Sequence, residues 1–232
     1  MKRSHAGLVP RMTEAKYIFI LLTRTNGAIP RVIRAACGAR FNHVAVSLTP
    51  DLRRLYSFAR LHDISPLVGG PVCECLDRYT RGNGKTVTAA LFAIRVSDDG
   101  YKRAAAAVSS VFADREYIYN LLSVISMPIT GGFRTYKAFS CSEFAANILR
   151  RAGFAMGAPP HECSPDDIYR LLLAHSGADA RLIYYGDIRG CLSRKRADHG
   201  IMRTFYFPTL SHLAGETAYF TYETIRRFFD RF

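Results

Sequence analysis

The chain has 232 residues, of which 49% are hydrophobic and 22% are charged. This length and composition favour one globular domain and exclude a disordered-type chain. No apolar run approaches the ~20 residues that a membrane-spanning helix needs. The formal net charge of +13 is typical either of a solvated basic surface or of a protein that contacts nucleic acid or an anionic membrane.

The amino terminus has basic residues but no apolar segment behind them, so it does not resemble a signal peptide. Residues 1–12 are interpreted as a tail or as the remnant of an expression linker. The six cysteines are irregularly spaced. The close pair Cys73 and Cys75 has no second pair, so neither a disulfide framework nor a zinc site is expected. We therefore expect a reducing, cytoplasmic setting and no metal or cofactor.

The first half of the chain predicts several strands. Residues 16–24 are β-branched and aromatic, which is typical of a buried strand, and residues 30–37 predict a short helix. Residues 43–48 alternate, with Val44, Val46 and Leu48 on one face and the side chain of His43 on the other. Residues 55–59 are expected to pair with that strand as a hairpin. Residues 61–84 contain glycine and proline breakers and predict an irregular segment.

The second half predicts a strand over residues 87–96 and then mostly helices. These cover 98–112 behind the cap Ser97, the apolar residues 117–125, residues 141–152 and a segment that begins after Ser164. Residues 182–185 predict a last strand. The pattern indicates an α+β domain over residues 13–187. The basic, aromatic extension, residues 188–232, is predicted to pack on the domain, or to contact an anionic membrane surface or a partner.

Cys141 is predicted to lie at the start of a helix. Ser140 followed three residues later by Glu143 forms a capping-box pattern, which makes Ser140 the N-cap. The unpaired N–H groups and the positive end of the helix dipole favour a negative charge there, so the thiol is expected to be a good nucleophile. The neighbouring N–H groups, including that of Ser142, can also stabilise an oxyanion. Alternatively, Cys141 is a buried, inert cysteine.

A thiol nucleophile needs a base within hydrogen-bond reach. Of the seven histidines, only His43 begins a regular strand, and a rigid strand is a good place for a catalytic imidazole. The alternative is a structural histidine. By elimination, His43 is the candidate base.

Five segments together resemble the circularly permuted branch of the papain-like, NlpC-type cysteine hydrolases, and most closely the YiiX-like bacterial group. They are residues 41–48, 55–60, 69–74, 119–120 and 139–144, which read FNHVAVSL, LYSFAR, GGPVCE, YN and FSCSEF. The histidine strand precedes the cysteine helix, as in the permuted branch. The resemblance covers roughly residues 15–187. It implies an antiparallel sheet packed against the helix that bears the nucleophilic cysteine.

The resemblance also implies a third polar group that orients the imidazole. In related proteins it lies on the strand after the histidine, where this chain offers Tyr56 and Ser57, and we expect these two to contact substrate. Glu74 is the candidate third residue, either as the orienting group or as a contact for a cationic substrate group. Alternatively, it is a solvated loop acid. Tyr119 and Asn120 are expected to line the pocket, or else only to pack a helix.

The predicted function is a cysteine-dependent amidase or peptidase that works through an acyl-thioester. An alternative within the same fold is a lipid-directed acyltransferase or thioesterase, although that group commonly uses two histidines. A second alternative is a non-catalytic basic binding module. The expected substrates are a peptide, an amide or an acyl-lipid. Nucleic acid is not expected, since no recognised nucleic-acid motif is present. The oligomeric state is left open.

Overall fold

The computed structural model describes residues 15–25, 39–61, 68–79, 86–194 and 210–230. These residues form an α+β fold in which a six-stranded antiparallel sheet carries helices on its faces. The strands are β1 Lys16–Arg24, β2 His43–Ser47, β3 Leu55–Arg60, β4 Gly69–Glu74, β5 Thr88–Val96, β6 Ile118–Tyr119, β7 Ala138–Phe139 and β8 Ala180–Asp187. The helices are α1 Asp98–Ala113, α2 Leu121–Thr130, α3 Cys141–Arg151, α4 Pro165–Ala174, α5 Ile188–Arg194 and α6 Leu210–Phe229.

The large sheet has the strand order β4-β3-β2-β1-β5-β8, and every neighbouring pair is antiparallel. The short strands β6 and β7 form a separate parallel pair. The long strand β1 lies inside the sheet and pairs with β2 and β5. No helix among the described residues has the length and hydropathy needed to cross a bilayer.

Both faces of the sheet are buried, because alternate residues of β1 belong to two different cores. Ile18, Ile20 and Leu22 lie in the larger core, which α1, α3 and α4 cover. Phe19 and Leu21 lie in the smaller core on the other face, which α5 and the 3-10 turn Leu76–Tyr79 cover. A strand buried on both faces has a continuous apolar sequence, which is what residues 16–24 show.

The predicted alternation in β2 is confirmed. Val44 and Val46 pack in the larger core, whereas Ala45 packs in the smaller one. The predicted start of α4 is also confirmed: Ser164 is its N-cap, Pro165 its first residue, and Asp167 completes a reciprocal capping box.

Two predictions of local structure are wrong. Residues 69–74 form β4 rather than an irregular segment. Proline is tolerated there because β4 is an edge strand, where only alternate residues donate an N–H to a neighbouring strand. Residues 118–119 form β6 rather than part of a helix, because they pair with β7, and α2 begins only at Leu121.

Some predicted elements differ in extent or fall outside the structure. The last strand of the sheet is longer than the predicted residues 182–185. Helix α5 follows it directly, and Ile188 and Cys191 are buried in the smaller core. The first part of the carboxyl-terminal extension therefore shares the core of the domain. The helix predicted over residues 30–37 lies outside the described residues.

Candidate active site

Cys141 is the first residue of α3, as the capping pattern predicts. The N-cap Ser140 accepts the Glu143 N–H at its Oγ atom, at 3.0 Å, and the Phe144 N–H at its carbonyl oxygen, also at 3.0 Å. The thiol side chain is buried, and the helix is held on the sheet by its apolar face. The position of Cys141 is therefore set by local capping and by core packing together.

His43 lies between Cys141 and Glu74. It begins β2, where it pairs with Thr23 of β1. Its Nε2 atom is 3.0 Å from Oε2 of Glu74, and the Cys141 side chain lies close enough to raise the pKa of the ring. Because Nε2 contacts the carboxylate, Nδ1 is the nitrogen left for the thiol. The structure thus brings together the three residues that the sequence proposed as nucleophile, base and orienting acid.

Glu74 ends β4 and is buried, so the alternative of a solvated loop acid is wrong. Its Oε2 atom also accepts a hydrogen bond from the hydroxyl of Tyr79. Its Oε1 atom is 3.3 Å from Nη1 of Arg78, whose Nη2 atom donates to the Arg60 carbonyl at 3.0 Å. The 3-10 turn after β4 therefore returns two donors to the carboxylate that faces His43.

Sequence reasoning did not single out Arg78 and Tyr79. Arg78 follows Glu74 at the i+4 spacing typical of an ion pair on a helical turn, and that spacing is the signal that could have found it. No local signal pointed to Tyr79, because its contact with the carboxylate depends on the path of the chain after β4.

The opposite charges of His43 and Glu74 stabilise each other. Burial by itself lowers the pKa of His43, but the Glu74 carboxylate and the interaction with Cys141 outweigh burial and raise it to about 10. Burial raises the pKa of Glu74, but His43 and Arg78 hold it below its ordinary value. At neutral pH His43 therefore carries a positive charge beside the Glu74 carboxylate and near the Cys141 side chain.

Two further buried ionisable groups, Tyr79 and Glu143, remain uncharged near neutral pH. Burial and the Glu74 charge raise the pKa of Tyr79 well above its ordinary value, so its hydroxyl stays protonated and able to donate. Burial raises the pKa of Glu143 to about 8, although the Ser140 backbone and Arg134 oppose this. The Glu143 side chain therefore adds little negative charge near the nucleophile at pH 7.

The first turn of α3 offers backbone donors beside the sulfur. The N–H groups of Cys141 and Ser142 have no intrahelical acceptor, because the first N–H groups of any α-helix lack one. The Ser142 side chain is buried, with its Oγ atom 3.2 Å from that of Ser140. The Ser142 backbone, rather than its hydroxyl, is therefore the group suited to an oxyanion.

Tyr119 lies close enough to Cys141 for the two groups to interact electrostatically. Burial and the Cys141 charge raise the pKa of Tyr119, while Arg60 acts in the opposite direction. The backbone of Gly69 in β4 packs against this tyrosine: a Cβ atom at position 69 would lie 2.7 Å from Cβ of Tyr119. A glycine at this position thus lets β6 approach the end of the sheet next to the site.

Three predicted pocket residues have structural roles instead. The buried Ser57 hydroxyl donates to the Val44 carbonyl at 2.6 Å and so links β3 to β2. Tyr56 points into the larger core, where its ring packs edge-on against Phe112 of α1 at 5.0 Å. Neighbouring residues of β3 face opposite sides of the sheet, so the structure places Tyr56 in a packing contact and Ser57 in a hydrogen bond between strands.

Asn120 is also structural. It is the N-cap of α2, and its amide nitrogen donates to the Phe133 carbonyl at 3.1 Å. Of the two alternatives for this residue, packing a helix is the one the structure shows.

The segment before His43 is held from both sides. Asp166 of α4 accepts the backbone N–H groups of Arg40 and Phe41 at 2.6 and 2.8 Å. Asn42 and Thr25 exchange hydrogen bonds across the neighbouring strand ends, at 2.6 and 2.9 Å. Asp166 lies in the first turn of α4, and its contacts fix where β2 begins and thus where the imidazole lies.

The remaining described cysteines differ from Cys141 in their surroundings. Burial, together with Asp167 and Glu162, raises the pKa of the Cys163 thiol to about 11, so this thiol stays protonated.

Among the described residues, no three His, Cys, Asp or Glu side chains are grouped so that they could hold a metal ion. Comparisons of the chain with protein-family models, with curated proteins and with solved structures found no match.

Proposed function

We propose that this chain is a cysteine-dependent hydrolase that cleaves an amide or peptide bond through an acyl-thioester on Cys141. The observation that carries the proposal is the imidazole of His43, which contacts the buried Glu74 carboxylate at 3.0 Å and interacts with the Cys141 side chain at the start of α3. A thiol, a base and a group that orients the base are the parts that nucleophilic catalysis by cysteine requires.

The first half-reaction acylates the thiol. The Cys141 thiolate attacks the carbonyl carbon, and the Cys141 and Ser142 N–H groups stabilise the oxyanion that forms. The His43 imidazolium then gives its proton to the leaving amine as the carbon–nitrogen bond breaks. The products of this step are a thioester, a free amine and a neutral imidazole.

The second half-reaction restores the thiolate. The neutral His43 takes a proton from water, whose oxygen attacks the thioester carbon, and the carbon–sulfur bond breaks to release the acid. Glu74 accepts the Nε2 hydrogen bond throughout and stabilises the imidazolium when it reforms. If another nucleophile replaces water, the same steps transfer the acyl group, which keeps the acyltransferase alternative within one mechanism.

We further propose that the fold is the permuted papain-like one. Two features support this: the strand that bears His43 precedes the helix that bears Cys141, and that helix packs against an antiparallel sheet. The third residue is a glutamate on β4 rather than a second histidine, which favours the amidase or peptidase reading over the lipid-directed group.

Labelling with iodoacetamide near pH 7, read by mass spectrometry, tests the nucleophile. We expect Cys141 to react faster than the other cysteines, and His43→Ala to remove this advantage because the imidazolium is lost. His161→Ala is a matched control, since that side chain is partly exposed and belongs to a 3-10 turn. Equal labelling of Cys141 and the inert Cys163 would contradict an activated thiol.

Electrophiles that carry varied acyl or peptidyl groups then define the substrate class. Each adduct would be read by mass at Cys141, and hydrolysis of the best-matching amide would be measured with the wild type and with Cys141→Ala. Turnover that survives Cys141→Ala in a folded protein would refute the proposed function.

A further inference from the structure

Part of the apolar surface of helix α2 faces solvent. Its sequence, LLSVISMPIT, has no charged residue, and its buried residue is the polar Ser123. Ile125 is 60% exposed and Ile129 is 91% exposed. Together with Leu121 and Pro128 they fall at the i, i+4, i+7, i+8 spacing of one helical face. A helix that packs on a core would have the opposite orientation.

This orientation is fixed at both ends of α2. At its start, Asn120 caps the helix and donates to the Phe133 carbonyl, while the Ser123 hydroxyl accepts the Phe133 N–H at 3.0 Å. At its end, Gly131 has a φ of 72°, and Gly132 fits so closely under His161 that a Cβ atom would lie 2.2 Å from the His161 carbonyl oxygen. The solvent exposure of the two isoleucines therefore follows from the contacts that fix the orientation of α2.

Helix α6 likewise buries charged side chains and exposes apolar ones. Its ion pair Glu223–Arg227 is buried, with a distance of 2.9 Å. Its exposed side includes Tyr222 at 62%, Ile225 at 48% and Phe229 at 67%, at i, i+3, i+7 spacing. Both helices thus bury polar or charged groups and expose several apolar side chains.

The carboxyl-terminal part of α6 lies against the segment that follows α2. The rings of Phe228 and Phe133 are 5.6 Å apart. Nη1 of Arg227 donates to the Tyr136 and Lys137 carbonyls, at 3.3 and 3.0 Å. The ring of Tyr136 in this segment is itself 69% exposed.

The charge around these helices complements an anionic surface. Residues 117–133 contain no charged residue, the exposed Arg134 follows at once, and the whole chain carries +13. Exposed apolar patches rimmed by polar groups mark interaction sites. Tyrosine side chains suit a membrane interface, where one end of the ring is apolar and the other wet, and basic residues are attracted to anionic headgroups.

We propose that the apolar faces of α2 and α6 dock on an anionic phospholipid bilayer. The isoleucines of α2 and the aromatic residues of α6 enter the boundary between headgroups and acyl chains, and Arg134 contacts the headgroups. Tyr119 of β6 precedes α2 by two residues and pairs with Phe139 of β7, which precedes Cys141 by two residues, so docking brings the candidate active site near the lipid. The proposal does not depend on catalysis, since no docking residue belongs to the Cys141–His43–Glu74 set.

Cosedimentation of the full chain with vesicles of phosphatidylcholine and phosphatidylglycerol tests the proposal. We expect the chain to sediment with vesicles that contain the anionic lipid, and far less with phosphatidylcholine alone or at high salt. The double variant Ile125→Ser/Ile129→Ser is expected to reduce partitioning at least about tenfold, because the apolar contact is lost. Tyr222→Ser/Phe229→Ser is expected to weaken binding as well.

Leu173→Ser is the matched control, since Leu173 is a 44% exposed residue of α4, and it is expected to bind like the wild type. Cys141→Ala is also expected to bind fully, which separates this proposal from the proposed function. Wild-type protein that stays in the supernatant, or either double variant binding like the wild type, would overturn the proposal. So would a dimer that forms without vesicles and is lost in Ile125→Ser/Ile129→Ser, because the occupant would then be a second copy.

Discussion

The substitution Glu74→Gln tests the electrostatic basis of the site most directly. The amide keeps the size of the side chain and can still accept the Nε2 hydrogen bond, so only the negative charge is removed. The Glu74 charge is the main reason that the pKa of His43 is raised to about 10 despite burial. Without it only Cys141 opposes the effect of burial, and we expect the pKa of His43 to fall toward its ordinary value of 6.5.

The magnitude follows from the protonated fraction of His43. At pH 7.5 a group with a pKa of about 10 is almost fully protonated, whereas a group with a pKa of about 6.5 is only about 10% protonated. If the imidazolium is what favours the thiolate, the alkylation rate of Cys141 at pH 7.5 should fall about tenfold in Glu74→Gln.

Two measurements check this expectation: the iodoacetamide rate at Cys141, and the titration of the His43 ring followed by NMR. The matched control is Glu116→Gln, which removes an exposed carboxylate that pairs with Lys137 and should leave both measurements unchanged. A His43 ring that still titrates above pH 9 in Glu74→Gln, with wild-type alkylation, would refute the assigned role of the carboxylate.

Three further results are expected from the same contacts. Tyr79→Phe removes a buried donor from Glu74, so the free energy of unfolding in urea should fall by about 1–2 kcal/mol, with a smaller loss of alkylation than in Glu74→Gln. Gly69→Ala places a Cβ atom 2.7 Å from Cβ of Tyr119 and should lower the free energy of unfolding by about 1–3 kcal/mol. Because the pKa of His43 is raised on folding, the stabilisation it gives is fully present below pH 6.5 and is lost as pH rises toward about 10. The free energy of unfolding in urea should therefore fall over this range by more in the wild type than in His43→Asn.

Each of these expectations has a control in the chain. Tyr219→Phe removes a hydroxyl from a tyrosine that is 53% exposed and should not change stability. Gly157→Ala adds a Cβ atom to open space and should be neutral. For the pH series, a wild type that loses no more stability than His43→Asn between pH 6.5 and 10 would contradict the raised pKa of the histidine.

The sequence by itself determined the features that depend on near neighbours in the chain. The start of α3 at Cys141 follows from Ser140 and Glu143, because an N-cap needs only residues within one helical turn. The alternation of Val44 and Val46 with His43 follows from the period of a strand. These two local patterns identified the candidate nucleophile and the candidate base.

Only the tertiary structure decided which groups contact the Glu74 carboxylate. Glu74 lies in a segment whose glycines and proline predict no strand. It reaches His43 because β4 joins the sheet edge, where Pro71 is tolerated. Arg78 and Tyr79 then complete its contacts through a turn whose path depends on the smaller core.

The tertiary structure also decided which side of α2 and α6 faces solvent. A helical period shows which residues share a face, but not whether that face is covered. Ser123 of α2 faces inward because Phe133 returns to it, and the Glu223–Arg227 pair of α6 faces inward because Arg227 donates to the backbone after α2. Contacts between residues distant in the chain set these orientations, so the sequence pattern alone could not show that the apolar faces are the exposed ones.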